Sequence, residues 1–213
     1  MIISAKSSGI VAPSARIRLR CPSCRQRGTL DEFKNVNDVT ISSSPAPILL
    51  GQRRCPNPDC HAHIFFAQQS NKVLVSYPAE RIDFDSTNIP PAIVQSFEQA
   101  ISCHANQCFI AAAIMVRKTL EELCGSCGTQ GKTLKARIQN LGTKIVLPQE
   151  LLEGIDDLRL LGNDAAHVES QEYNQIGQEE VEIGIELTKE VLKATYQYST
   201  LLDRLRGLKK QST

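Results

Sequence analysis

Two periods divide the chain. Through residue 78 the apolar positions come in short runs, and beyond residue 88 they recur every three or four residues. Arg16-Ile17-Arg18-Leu19-Arg20 alternates strictly and runs into Cys21. Ile48-Leu49-Leu50 precedes Cys55, and Ile64-Phe65-Phe66 and Val73-Leu74-Val75 follow Cys60. Turn-rich stretches such as Ser42-Ser43-Ser44-Pro45-Ala46-Pro47 lie between them, so residues 16–78 read as short strands. The first dozen residues contain Gly and Ser without a clear period and are expected to be mobile.

After Tyr77 to Asn88, which reads as a linker, the period becomes helical. Asn88 can cap a helix and Pro90-Pro91 suits its first turn, so one helix is expected to run to about His104. A second should cover Asn106 to Leu123, with Cys108, Ala111, Ala112, Met115 and Val116 available to its buried face. A third covers Leu134 to Leu141, and Pro148 opens a fourth over Leu151 to Leu161. Glu169 to Gly177 is polar and loop-like. The last helix should run from about Gln178 to Leu205, with Val181, Ile185, Leu192, Thr195, Leu202 and Leu205 along one seam. The pattern predicts an α+β chain: a small β module over 1–78, a linker over 79–88 and an all-α bundle over 89–208.

Composition narrows the class. At 41% hydrophobic and 22% charged residues the 213-residue chain reads as globular. Its net charge of +1 is unevenly spread. Residues 1–75 hold ten Lys/Arg and four Asp/Glu, a balance of +6; residues 76–213 hold fourteen and nineteen, a balance of −5. The two ends are expected to do different jobs. The longest uncharged apolar run, Cys108 to Val116, is too short to span a bilayer. Met1 to Lys6 lacks the pattern of a signal peptide, so no membrane partner is expected and the cytoplasm is the expected compartment. Thiols stay reduced there, and eight cysteines then point to metal rather than to disulfides.

Cys21-Pro22-Ser23-Cys24 and Cys55-Pro56-Asn57-Pro58-Asp59-Cys60 form two knuckles with thirty residues between them. Four soft ligands on two hairpins suit tetrahedral Zn²⁺ in a structural site, and a small β module with a thin core needs such a staple. His61 and His63 adjoin the second knuckle, and either is an alternative to Cys60 as ligand. A closed structural site does no chemistry. Its expected use is to present Arg16, Arg18, Arg20, Arg25, Arg27, Arg53 and Arg54 to nucleic acid, an acidic partner or solvent. No interleaved exposed aromatics are evident, so base stacking is not expected. Cys124-Gly125-Ser126-Cys127 has no matching second pair and no thioredoxin-like strand context, and reads with Cys103 and Cys108 as incidental or core thiols.

Arg159, Asn163 and His167 are four residues apart in an aliphatic helical pattern. Each step turns by about 40°, so the three share one face. A guanidinium, an amide and a titratable imidazole on one stripe suit the handling of a phosphate. If the helix continued unbroken, Arg159 and His167 would stand about 12 Å apart along its axis. A break at Gly162-Asn163, with Asn163 as a new cap, would change that distance. A second reading makes Asn163 a cap, His167 an interface imidazole and Arg159 a partner of Glu121 or Asp164, a stripe that specifies dimer packing.

Three segments occur in order: Ala111 to Glu121, Gly131-Lys132-Thr133-Leu134, and Leu158 to His167 with its Arg159-x-x-Gly162-Asn163-x-Ala165-Ala166-His167 run. They resemble an uncharacterised domain-of-unknown-function family related to the HEPN superfamily, which often follows a zinc ribbon and is found near phage-defence genes. The resemblance covers about residues 20 to 205. It implies a dimerising helical bundle and, in active members, a metal-independent ribonuclease with an R-x4-6-H motif. That motif would fall on Arg159 and His167, with Asn163 as an added polar member and seven residues between, one more than the usual spacing. His167 would move a proton at a ribose 2′-OH or at the leaving oxygen, and Arg159 would hold the phosphate. Arg117 and Glu121, one turn apart, would pair or line the cleft.

The expected function is therefore an endoribonuclease of HEPN type in phage defence or a toxin-like system, with a structural zinc ribbon for docking. The alternative is a non-catalytic homodimeric module whose ribbon binds a partner protein or nucleic acid. A zinc-containing transcription regulator would need an exposed basic recognition helix, and the acidic helical half offers basic residues only near Arg204, Arg206, Lys209 and Lys210.

Overall fold

The computed structural model describes residues 8–13, 15–145, 147–166 and 176–210, and over the last turns of the helix that ends at Ala166 it describes backbone alone. The fold is α+β: antiparallel strands come first and helices follow. The chain divides into two compact units, Met1–Asp83 and Phe84–Thr213.

The first unit holds β1 (Ser8–Val11), β2 (Arg18–Arg20), β3 (Arg27–Thr29), β4 (Asp38–Ile41), β5 (Ile48–Arg54), β6 (His63–Gln69) and β7 (Lys72–Tyr77). Five of them form an antiparallel sheet in the order β1-β4-β5-β6-β7, and β2-β3 form a separate ribbon. The alternation of Arg16 to Arg20 works as read: Ile17 and Leu19 are buried with Leu30, Ile64 and Phe66, while Arg16 and Arg18 face out. The start of the chain departs from expectation. Ser8–Val11 is a strand paired with β4, Ser8 opposite Ile41. It lacks an apolar period because all four of its residues are exposed, so pairing rather than burial holds it.

Arg53 also departs from its expected place on the surface. It is 1% exposed. Its Nη1 and Nη2 donate to the two Asp38 carboxylate oxygens at 2.8 and 2.7 Å, and its guanidinium lies 4.8 Å from the Phe66 ring centroid. Arg53 alternates with β5 neighbours that face the opposite side of the sheet, so its side chain is committed to the inner face. Gly51 makes the pair fit. A Cβ there would lie 2.0 Å from Asp38 Oδ1.

The second unit holds α1 (Pro91–Ala105), α2 (Phe109–Ser126), α3 (Leu134–Lys144), α4 (Gln149–Ala166), α5 (Gln178–Tyr196) and α6 (Tyr198–Lys210). Helix α2 packs against α1, α3, α4 and α5. Its buried face is Ala112, Ala113, Val116, Thr119, Leu120, Leu123 and Cys124. Cys108 and Ala111, expected on that face, are exposed: Cys108 precedes the helix as its N-cap, and Ala111 lies outside the buried stripe that runs through Ala112, Val116 and Leu120. Pro90, not Asn88, is the N-cap of α1, with Pro91 in the first turn. Thr133 caps α3 and accepts from the Ala136 N–H at 3.2 Å. Gly154 lets α4 and α5 approach: a Cβ there would meet Leu187 Cδ2 at 2.6 Å.

Two helix boundaries correct the sequence reading. Helix α4 passes through Gly162-Asn163 without a break. One glycine costs a helix only about 1 kcal/mol, too little to end it without a proline or a competing cap. The last expected helix is instead two, interrupted at Gln197, whose side-chain Nε2 donates to the carbonyls of Asp85 and Thr87 at 3.0 and 3.2 Å. The expected seam divides there. Val181, Ile185 and Leu192 are buried, whereas Leu202 and Leu205 are exposed, because among the described residues α6 packs against α5 alone. Among those residues no helix is long and apolar enough to cross a membrane.

Candidate metal centre

Each knuckle is a short hairpin end closed by backbone hydrogen bonds. In the first, the Cys21 N–H donates to the Gln26 carbonyl and the Arg25 N–H to the Cys21 carbonyl, both at 2.9 Å. In the second, the Cys55 N–H donates to the Ala62 carbonyl at 2.8 Å, and the N–H groups of Cys60 and His61 both donate to the Asn57 carbonyl at 3.0 and 3.1 Å. The Asn57 side chain absorbs the two extra residues by accepting from the Asp59 N–H at 3.0 Å. In both knuckles the residue after the second cysteine has a left-handed backbone, φ 64° at Arg25 and 51° at His61. His61 is thus the turn residue of its knuckle, equivalent in place to Arg25.

The four thiol sulfurs converge. Sγ of Cys21, Cys24, Cys55 and Cys60 all lie within 4.8 Å of one another. The pairs interleave the knuckles: Cys21 to Cys60 is 3.7 Å and Cys24 to Cys55 is 3.6 Å. A tetrahedron with Zn–S bonds of about 2.3 Å has edges of about 3.8 Å, which matches. A disulfide needs about 2.05 Å, and all four cysteines are free. Among the described residues this is the one group of His, Cys, Asp or Glu side chains close enough to hold a metal ion. Neither His61 nor His63 belongs to it; the His63 ring packs against Phe33 with centroids 4.6 Å apart.

The surroundings treat the sulfurs unequally. The Ala62 backbone and then the Ser23 side chain draw the Cys60 thiol down to about 6, and the Gln26 backbone lowers Cys24. Burial pushes Cys55 up to about 12 and raises Cys21. So each knuckle pairs one sulfur whose thiolate form its surroundings favour more than usual with one sulfur whose thiol form burial favours, and a bound cation would favour thiolate at all four. Backbone N–H groups aimed at the sulfurs are the outer partners that hold metal-bound thiolates in place.

The other site candidates are placed as follows. Arg117 Nε and Glu121 Oε1 pair at 3.2 Å on α2. Arg159 and Asn163 stand one turn apart on α4; their side chains and all of His167 lie outside the described residues. Cys124 is buried and Cys127 half-buried, and burial raises both thiols. Of the arginines expected at the surface, Arg16, Arg18, Arg25 and Arg27 are exposed, while Arg20 Nη1 lies 3.3 Å from Asp83. The sequence reading missed the exposed aromatics. Phe65 and Tyr77 are 53% and 73% exposed and stand directly opposite each other on β6 and β7. Alternation along β6 and β7 was the available signal, but it does not tell which face is covered.

A family model described as a domain of unknown function, DUF4145, matches residues 98–210. The chain belongs to this family. The DUF4145 match begins inside α1 and ends with α6, and the four-cysteine group lies before it. No curated protein and no solved structure matches the chain.

Proposed function

We propose that the chain is a non-catalytic interaction protein in which a zinc-stapled β unit docks a partner and the DUF4145 unit pairs with a second copy. The observation that carries it is α6. Leu201, Leu202, Leu205 and Leu208 are each more than half exposed on a helix that, among the described residues, packs against α5 alone. An apolar face of that size on an isolated helix is an association surface. The second copy is the occupant because the complement is present in the same chain. A groove of about 730 Å³ on α5 is floored by Ile183 and Leu187 and flanked by Glu179, Glu182, Glu186 and Glu190. Arg204 and Arg206 flank the leucines of α6. Reciprocal insertion of two such helices closes a two-fold dimer.

Sedimentation of the full chain at micromolar concentration tests this. The wild type should run as a dimer, and Leu201→Glu with Leu205→Glu as a folded monomer. A wild type that runs as a monomer would overturn the pairing.

A second reading, the HEPN-type ribonuclease, is favoured by the placement of Arg159 and Asn163 on successive turns of one helix immediately before His167. The unbroken helix counts against a compact Arg159–His167 pair within one chain, since residues 159 and 166 are separated by about 10 Å along the axis. Cleavage of end-labelled RNA in chelator decides. Fragments ending in 2′,3′-cyclic phosphate from the wild type and not from His167→Ala would establish the enzyme.

A further inference from the structure

On the face of the five-stranded sheet opposite Arg53, Ile41, Ile48 and Ala67 are buried at one end, whereas Phe65, Val75 and Tyr77 are exposed, and the side chains stand in rows. Gln52, Phe65 and Tyr77 stand opposite one another across β5, β6 and β7. Two residues along, Leu50, Ala67 and Val75 form the next row, and on the other side Arg54 stands opposite His63. Rows on one face are about 6.7 Å apart along the strands. His63 in turn packs against Phe33, so four rings, Phe33, His63, Phe65 and Tyr77, extend across one end of the sheet.

The groove beside these rings has a volume of about 450 Å³ and no carboxylate in its lining. The groove on α5 is the opposite case, with four glutamates. The unit that carries the ring face holds eleven Lys/Arg against six Asp/Glu in residues 1–83, a balance of +5, or about +3 once four thiolates hold a divalent ion. Arg54 stands at the end of the ring face with 42% of its side chain exposed, 4.0 Å from Asp31, and its Nε has no hydrogen-bond partner. Flat rings on a sheet, a half-exposed guanidinium at the margin paired with the one carboxylate of Asp31, and a groove without lining carboxylates in a cationic unit are chemistry that takes unpaired bases and their phosphates.

We infer that this face of the sheet binds single-stranded nucleic acid, with bases stacked on Phe65 and Tyr77 and the backbone drawn to Arg54. The inference rests on the reading of the β unit as the docking half of the molecule and names its partner. It does not depend on the pairing of α6, so the two can fail separately.

The test is anisotropy of labelled single-stranded RNA and DNA of about 12 nucleotides with the full-length, zinc-loaded protein at low salt, beside a duplex of the same sequence. The expected result is micromolar binding of single strands that weakens with salt and exceeds duplex binding. Phe65→Ala and Tyr77→Ala should each weaken it about tenfold, within the range for loss of one stacked base. Tyr77→Phe should keep most of the affinity, and Lys118→Ala on α2 all of it. Zinc content and circular dichroism establish that each variant is folded; Tyr77 is exposed enough to be removed without loss of core. Binding of RNA, DNA or both supports the inference, and their ratio identifies the natural strand. Three results overturn it: no binding at about 100 μM, the weak end of the ordinary non-specific range; binding indifferent to both aromatic substitutions; or a change of oligomeric state, rather than of nucleic-acid affinity, on Tyr77→Ala, which would make the face a protein interface.

Discussion

In the β unit the largest fully buried side chain is an arginine; in the helical unit Phe97, Leu120, Leu123, Ile155 and Ile185 fill that role. Among the described residues the β core is one cluster of seven, two of them cysteines, and a second of Ile41, Ile48 and Ala67, and beside them lie an ion pair and four convergent thiols. The helical unit wraps four helices around α2 and leaves the polar pairs outside. A sheet of short strands cannot bury enough apolar area to offset the ordering of its chain, so polar and metal-ligating groups take over. In the helices Cys124 is buried and Cys127 half-buried, and among the described residues no further metal-ligating side chains gather beside them.

The four-cysteine site is where the comparison should break most sharply. Chelation, or Cys21→Ser, should unfold the β unit and leave α1–α6 intact, since structural zinc supplies apparent free energies of about 10–16 kcal/mol. Amide exchange resolves the units, and protection retained in β5 and β6 without metal would refute the staple. Cys124→Ser should leave metal content unchanged. Next in size is Asp38→Ala, which strands the Arg53 guanidinium in the core and should cost about 3–5 kcal/mol in the β unit alone. A chemical denaturation midpoint near that of wild type would show that the pair is dispensable.

The helical unit should respond to crowding instead. Gly154→Ala places a methyl against Leu187 and should cost about 1–3 kcal/mol in the thermal transition of that unit. Stabilisation would mean that α4 and α5 are not in close contact there. The smallest effect is expected at Thr133→Ala, about 1 kcal/mol for the lost cap of α3. Exchange at the Ala136 amide reads it, and an unchanged rate would discount the cap.

These differences follow what was legible in the chain beforehand. The knuckles could be read because a ligand set declares itself by residue type and spacing, and both parts of the set are local. Arg53 could not be read because its partner, Asp38, lies on another strand and no spacing links the two. β1 and β4 were missed for a similar reason: they exist by pairing with β5 and each other. The starts of α1 to α5 were legible to within a turn from their period, while α4 runs five residues past its expected end, and period identifies a face and not its cover. That is why Leu202 and Leu205 were expected in the same seam as Ile185 and are exposed instead. The break at Gln197 carries no glycine or proline; it coincides with a tertiary contact of the Gln197 side chain to Asp85 and Thr87.

The interleaving of the sulfurs has one more consequence. Cys21 meets a residue 39 positions away, and Cys24 one 31 positions away, so a single ion would close two long loops at once. Closing such loops is costly in chain entropy and is compensated only when the last ligand arrives. By mass action the stability of the β unit would then rise with the logarithm of free metal, whereas that of the helices would not. One polypeptide would thus hold a half whose persistence is set by its own sequence and a half whose persistence is set by the supply of an ion.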